Sequence, residues 1–188
     1  DPGFDQCEEP FLVTEAVIDF EDMSSGAPTT EYSHLGATFT GSAHGVCAGL
    51  SGGDPGNWDL EGTAGPQFLG FNGGGYSDTI SFDEAVHEFS LDVSRSNGSS
   101  DGDSFGLEAL SGGSVVDSVT VTLPAVNTWL TVGFTDLSFD AVRMTGYGSG
   151  FHPYGVDNII FGAASEDAGY VSTATDCDDD DPFIGADC

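Results

Sequence analysis

Apolar and polar residues alternate with period two along most of the chain, the signature of half-buried β-strands. At the first such run Ala16, Ile18 and Phe20 fall on one side, with Asp19 and Glu21 on the other. Further runs that alternate or are rich in β-branched and aromatic residues predict strands at 36–40, 67–71, 77–82, 86–94, 104–110, 115–123, 128–134, 138–145 and 154–161. The clearest are Phe89, Leu91, Val93 and Val115, Val119, Val121, while a slip between Phe139 and Val142, Met144 marks a bulge. Turn signals separate them: Ser96-Asn97-Gly98-Ser99, Ser111-Gly112-Gly113, Leu123-Pro124, the glycines from 146 to 150, and Asn72 with the glycines after it. Many short strands joined by such turns predict an all-β chain, a two-sheet antiparallel β-sandwich.

Residues 1–15, polar with Pro2 and Pro10, read as an extended N-terminal arm, and 16–162 as the sandwich. Within it, 42–65 is glycine-rich and without periodicity, which predicts an irregular loop carrying Cys47 and Trp58. After Phe161 the alternation stops; 163–175 reads as a linker and 176–188 as an acidic tail.

Composition sharpens this picture. Of 188 residues 28 are Gly and 14 Phe, which suits turns and an aromatic core and disfavours helices. Charge changes it more: 32 acidic residues face only two cations, Arg95 and Arg143, for a net −30. A polyanion of this density repels phosphate backbones and anionic lipid heads, so neither nucleic acid nor a membrane surface is an expected partner. No segment reaches the ~18 apolar residues of a spanning helix, so membrane insertion is not expected either. Cations are the natural partners, and carboxylate repulsion makes a cation-dependent fold the expectation.

Four cysteines, Cys7, Cys47, Cys177 and Cys188, match neither redox nor zinc spacings. They predict disulfides and an extracellular or cell-surface location. Three pairings are open; the short step from Cys177 to Cys188 suits a local loop, which would leave Cys7 to staple the arm to Cys47.

From residue 16 to 161 the order of motifs resembles the jelly-roll-like β-sandwich domains of bacterial secreted and surface proteins, many of which carry sorting or anchoring tails. The residues that carry the likeness are Val17 to Asp22, Ser81-Phe82-Asp83, Phe89 to Val93, Asp103 to Ala109, Val119 to Val121, Trp129 to Phe134, Phe139 to Met144 and Val156-Asp157-Asn158-Ile159. The tail, with Asp176, Asp178, Asp180, Asp181 and two cysteines, is similar to the Asp-rich metal-binding repeats of large bacterial surface proteins. No sorting tail is visible in it.

Calcium takes six to eight hard oxygen ligands, which this chain offers in abundance. In the resembling sandwiches the first and last strands pair, which implies that Asp19 and Glu21 converge with Asp157, with Asn158 as an accessory. The competing reading is an acidic edge that discourages strand pairing. A second calcium site is expected from Asp176, Asp178, Asp180 and Asp181 in a cysteine-closed loop. Asp101 and Asp103 fit a polar hairpin turn better than a calcium loop. Asn97-Gly98-Ser99 matches the N-glycosylation pattern. Four histidines lack paired spacing, and no GxSxG, phosphate loop or dinucleotide fingerprint occurs, so no catalytic constellation is expected. Tyr147 and Tyr154 flank a glycine-rich loop and are the candidate sugar-stacking rings; Trp129 sits in an apolar strand and is expected in the core.

These readings combine into a non-enzymatic, calcium-stabilised structural or interaction module of a bacterial surface, matrix or filament-forming protein, working in adhesion or self-assembly. Its partners would be divalent cations, copies of itself or surface polysaccharide. The alternative is a calcium-dependent carbohydrate-binding module, and a third is a halophile's domain whose charge holds hydration.

Overall fold

The computed structural model describes residues 15–23, 28–41, 44–48, 59–71, 77–147 and 154–162. They form eleven strands and one 3-10 turn, Ser33–Leu35: β1 Ala16–Ile18, β2 Ala37–Thr40, β3 His44–Ala48, β4 Gln67–Phe71, β5 Ser77–Val86, β6 Glu88–Arg95, β7 Ser104–Ser111, β8 Ser114–Thr122, β9 Leu130–Phe134, β10 Phe139–Tyr147 and β11 Tyr154–Gly162. One sheet runs β3-β4-β11-β6-β9 with β1 also on β11; the other runs β2-β5-β10-β7-β8. Every pairing is antiparallel. The sandwich is therefore the predicted one.

Alternation explains the layers. Leu91 and Val93 of β6, Leu107 of β7, Val142 and Met144 of β10 and Val156 of β11 are fully buried between the sheets. Aromatic rings fill the ends: Phe20 packs edge-on against Tyr32 and Phe39, while Phe82 lies 4.8 Å from Phe161 between ring centroids. The expected slip in β10 is a register shift between Phe139 and Ala141.

Two expectations need correction. β1 stops at Ile18 rather than reaching Glu21, because Phe20 turns left-handed (φ 59°) to drive its ring into the core. That leaves Asp19 outside any strand, with its carboxylate accepting the Glu21 N–H at 3.2 Å. The presumed loop 42–65 contains β3, whose residues pair with β4 through Cys47 opposite Phe68. β-pairing there overrides a glycine-rich sequence with no period of its own. The arm up to residue 14, the linker, the tail, and with them Cys7, Cys177, Cys188, Asp176, Asp178, Asp180 and Asp181, lie outside the described residues, as does Trp58.

Candidate functional site

Strand β11 changes partner halfway along one edge. Tyr154 to Val156 pair with β4, and Ile159 to Phe161 pair with β1, so Asp157 and Asn158 sit where neither neighbour reaches. On its other edge β11 shifts register against β6 between Asp157 and Ile160, and Asn158 is left-handed (φ 48°). Left-handed backbone at a non-glycine residue costs of order 1–3 kcal/mol and persists only where surroundings impose it.

At this break Asp157 stands opposite Asp92 of β6, which stands opposite Thr131 of β9. The row lies on the outer face of its sheet, yet Asp157 is fully buried and Asp92 nearly so. The cover is the segment leading into β4. Thr63 N–H donates to Asp157 Oδ2 at 2.5 Å and Ala64 N–H to the same oxygen at 3.2 Å. Glu21 holds that segment from the other side, its Oε1 accepting the Gln67 N–H at 2.7 Å. Trp129 pins its start, donating Nε1–H to Glu61 O at 2.9 Å while packing on Phe68 beside Leu60. Trp129 is thus half-buried in a small satellite cluster rather than in the main core.

Thr63 Oγ1 lies 3.1 Å from Asp92 Oδ2 and 3.0 Å from Asp157 Oδ2. A hydroxyl has one proton, so it can satisfy only one of two ionised carboxylates. Asp92 has further support from Thr131 Oγ1–H at 2.6 Å and Asn158 Nδ2–H at 3.2 Å. Asp157 Oδ1 has none, and neither has the buried Oε1 of Gln67 at the start of β4. Burial pushes the Asp157 carboxyl above the usual aspartate value, against the pull of N–H groups from Asn158, Ala64 and Thr63.

Glycines keep the oxygens close together. A Cβ on Gly62 would collide with Gln67 O and stand 2.7 Å from Gly65 O and 2.8 Å from Asp157 Oδ2; one on Gly65 would enter the Glu21 carboxylate. Carboxylate and carbonyl oxygens are the hard donors that calcium takes. Among the described residues no three His, Cys, Asp or Glu side chains cluster tightly enough to hold an ion unaided. Asp157 Oδ2 and the Gly65 and Gln67 carbonyls come together at Gly62, and the Glu21 carboxylate lies against Gly65. Glu21 and Asp157, which the sequence reading brings together, grip one segment from two sides, and Asp92, Thr63 and Gln67 join them without any sequence signal of that role. Asp92 looks in sequence like any outward acid of an alternating strand.

A second feature occupies the outer face of the five-stranded sheet. Cross-strand partners there are Thr40, Thr79, Arg143, Glu108 and Ser118 in one row, and Ser77, Thr145, Gly106 and Thr120 in the next. Arg143 Nε–H donates to Glu108 Oε2 at 2.6 Å, which cancels the charge of the row and raises the Arg143 pKa further. Tyr147, 45% exposed, leans over Gly106, where a Cβ would come within 2.5 Å of its ring. Tyr154 is different: 1% exposed and edge-on to Phe105, it is a core residue and offers no ring to a ligand. The Asp101 to Asp103 stretch is a turn, as expected, with Asp103 N–H donating to Ser100 O and Asp101 pairing with Arg95. Asn97 is exposed in the preceding turn, closed by Ser99 N–H on Ser96 O, and donates Nδ2–H to Asp59 at 2.9 Å.

No family model and no curated protein matches the sequence. Solved structures do match in shape. The K1 cleaved adhesin domain of Lys-gingipain from Porphyromonas gingivalis aligns with a TM-score of 0.51 at 12% identity, over 80% of this chain and 99% of its own. The K2 cleaved adhesin domain of Lys-gingipain gives 0.52 at 11%, over 79% and 99%. TmCBM61, solved with β-1,4-galactotriose, gives 0.49 at 12%, over 72% and 98%. At such identity the likeness is one of fold: a two-sheet sandwich of the kind used by bacterial adhesin domains. No helix among the described residues is long and apolar enough to cross a membrane.

Proposed function

We propose that the chain is a non-enzymatic adhesion module of an extracellular bacterial protein, stabilised by calcium and binding a neutral saccharide on the outer face of its five-stranded sheet. The observation that carries the reading is that face. On a chain of net −30, its central rows hold hydroxyl side chains around one internally neutralised Arg143–Glu108 pair, with the Tyr147 ring half exposed above Gly106. Small side chains leave room for an extended sugar chain, the ring supplies an apolar stacking surface, and the ion pair offers donors and acceptors to hydroxyls. A neutral glycan meets no repulsion there, whereas an anionic one would meet the field of the whole polyanion.

Calcium enters through the carboxylate site. A buried Asp157 with one oxygen unpartnered, a like-charged neighbour in Asp92 and the Gly65 and Gln67 carbonyls beside the same carboxylate are a set of hard oxygens that one cation would neutralise. The adhesin domains that share the fold suit the adhesion part of this reading and say nothing of the ion.

The test is retardation of the protein in native gels cast with neutral polysaccharides, in calcium. Wild type is expected to be slowed by at least one of them and Tyr147→Ala to run freely while keeping its melting temperature. Unretarded wild type on every neutral glycan, or a Tyr147→Ala protein slowed as much as wild type, overturns the saccharide reading.

A further inference from the structure

A sheet edge is a row of unpaired backbone donors and acceptors, and proteins blunt such edges with short strands or charges. Among the described strands five have a single neighbour, and four of them follow the rule, for β1, β2, β3 and β9 span three to five residues. β8 does not: it spans nine residues and, among the described residues, pairs only with β7. Its single charge, Asp117, sits beside a bulge at Val116, where the register shifts between Ala109 and Leu110. Beyond that bulge no residue from Ser118 to Thr135 carries a formal charge. Val115 and Val116, at the near end of the same strand, are among the few large apolar side chains left exposed.

We infer that β8 is a self-association edge: two copies pair β8 against β8, antiparallel, about a two-fold axis at Thr120. The charge distribution selects this occupant. At net −30 a second copy is repelled from most of the surface, and an uncharged strand is where two such chains can meet. The register follows from the faces. Thr120 and Thr122 stand opposite Gly106 and Ser104 on the outer face, while Val119 and Val121 stand opposite Leu107 and Phe105 toward the core. An axis at Thr120 sets Thr120 against its own copy, Val119 against Val121 and Ser118 against Thr122. Each is a favourable β-branched or hydroxyl pair, and Asp117 of each copy is kept far from its mate. The same surface is used by both partners, so the contact closes as a dimer rather than growing into a filament. It joins two five-stranded sheets edge to edge and continues their neutral faces across the axis. The inference rests on the edge alone and stands whether or not the face binds a saccharide.

Sedimentation of the full chain across the micromolar range, in calcium and moderate salt, tests it. Wild type is expected to double in mass with concentration. Thr120→Glu and Thr120→Lys each place like charges opposite one another and should weaken the dimer by about tenfold or more. An equal mixture of the two variants should recover it, because the charges then pair across the axis. Thr120 is exposed, so unchanged melting temperatures certify that both variants fold. Wild type that stays monomeric throughout overturns the inference, as a β8 covered by the chain's own N-terminal arm would cause. A dimer indifferent to both substitutions overturns it as well.

Discussion

Replacing Asp157 by Asn separates the two roles of its carboxylate. In metal-free protein Asp157 and Asp92 repel each other. Their facing oxygens lie within about 6 Å, since each is about 3 Å from Thr63 Oγ1. At an effective dielectric near 20 that repulsion is about 3 kcal/mol. The Asn oxygen can still accept from Thr63 and Ala64, but as a neutral acceptor it loses roughly 1 kcal/mol for each charge-assisted bond. These terms nearly cancel, so in EDTA the variant should match wild type within about 1 kcal/mol. Truncating a well-paired buried carboxylate would instead cost roughly 3–5 kcal/mol. With calcium at a hundred times its dissociation constant, wild type gains about 2.7 kcal/mol, or roughly 5–10 °C for a chain of this size. Asp157→Asn should gain little. Thermal unfolding of both proteins in EDTA and in millimolar calcium measures the four values. An equal calcium shift in both, or a sodium shift as large as the calcium shift in wild type, refutes the reasoning.

Three other outcomes follow from the same geometry. Because the folded Asp157 pKa lies above its unfolded value, its contribution in EDTA is fully present below the ordinary aspartate range and is lost as pH rises through the folded value. Urea midpoints against pH should therefore fall more steeply for wild type than for Asp157→Asn, and calcium, which competes with the proton, should reverse that difference. At Gly65 the atoms nearest an added Cβ belong to the movable Glu21 carboxylate, whereas at Gly62 the nearest is a backbone oxygen. Denaturant unfolding in EDTA should thus show the Gly62 change costing about 1–3 kcal/mol and the Gly65 change less, with calcium titration showing the Gly65 variant weakened as well. Trp129→Phe removes the Nε1–H bond to Glu61 O and should cost about 1 kcal/mol, with faster proteolysis within 59–67 as the local readout.

Most of the sandwich was legible because its strands bury one face, and burial writes itself into sequence as period two. Tyr147 and Tyr154 show how far the same rule reaches. Tyr147 shares parity with Arg143 and Thr145 and is outward, whereas Tyr154 shares parity with Val156 and is buried; the flanking glycines, on which both seemed alike, said nothing about facing. What escaped was non-local. The early end of β1 depends on Phe20 finding Tyr32 and Phe39, and β3 depends on β4 as a partner rather than on its own residues. The burial of Asp92 is imposed by Thr63, far away in the chain, so no window around the Phe89 to Val93 motif could have set it apart from a solvated acid.

The pairing of β1 with β11 has a mechanical side. Ala16 is opposite Phe161, so the first and last described strands meet at their outer ends. Tension drawn through flanking segments at these ends would load the ladder in an unzipping direction, Ala16–Phe161 first, then Val17–Ile160, then Ile18–Ile159. Three pairs peeled in turn resist little force. Directly behind them come Phe20, anchored in the core, and Glu21, clasped to the segment that roofs Asp157. The yield point under load would be decided there, and with calcium seated it would rise with the ion's concentration. A tether built of such modules would be soft at low pull and stiffen at the Glu21 clasp.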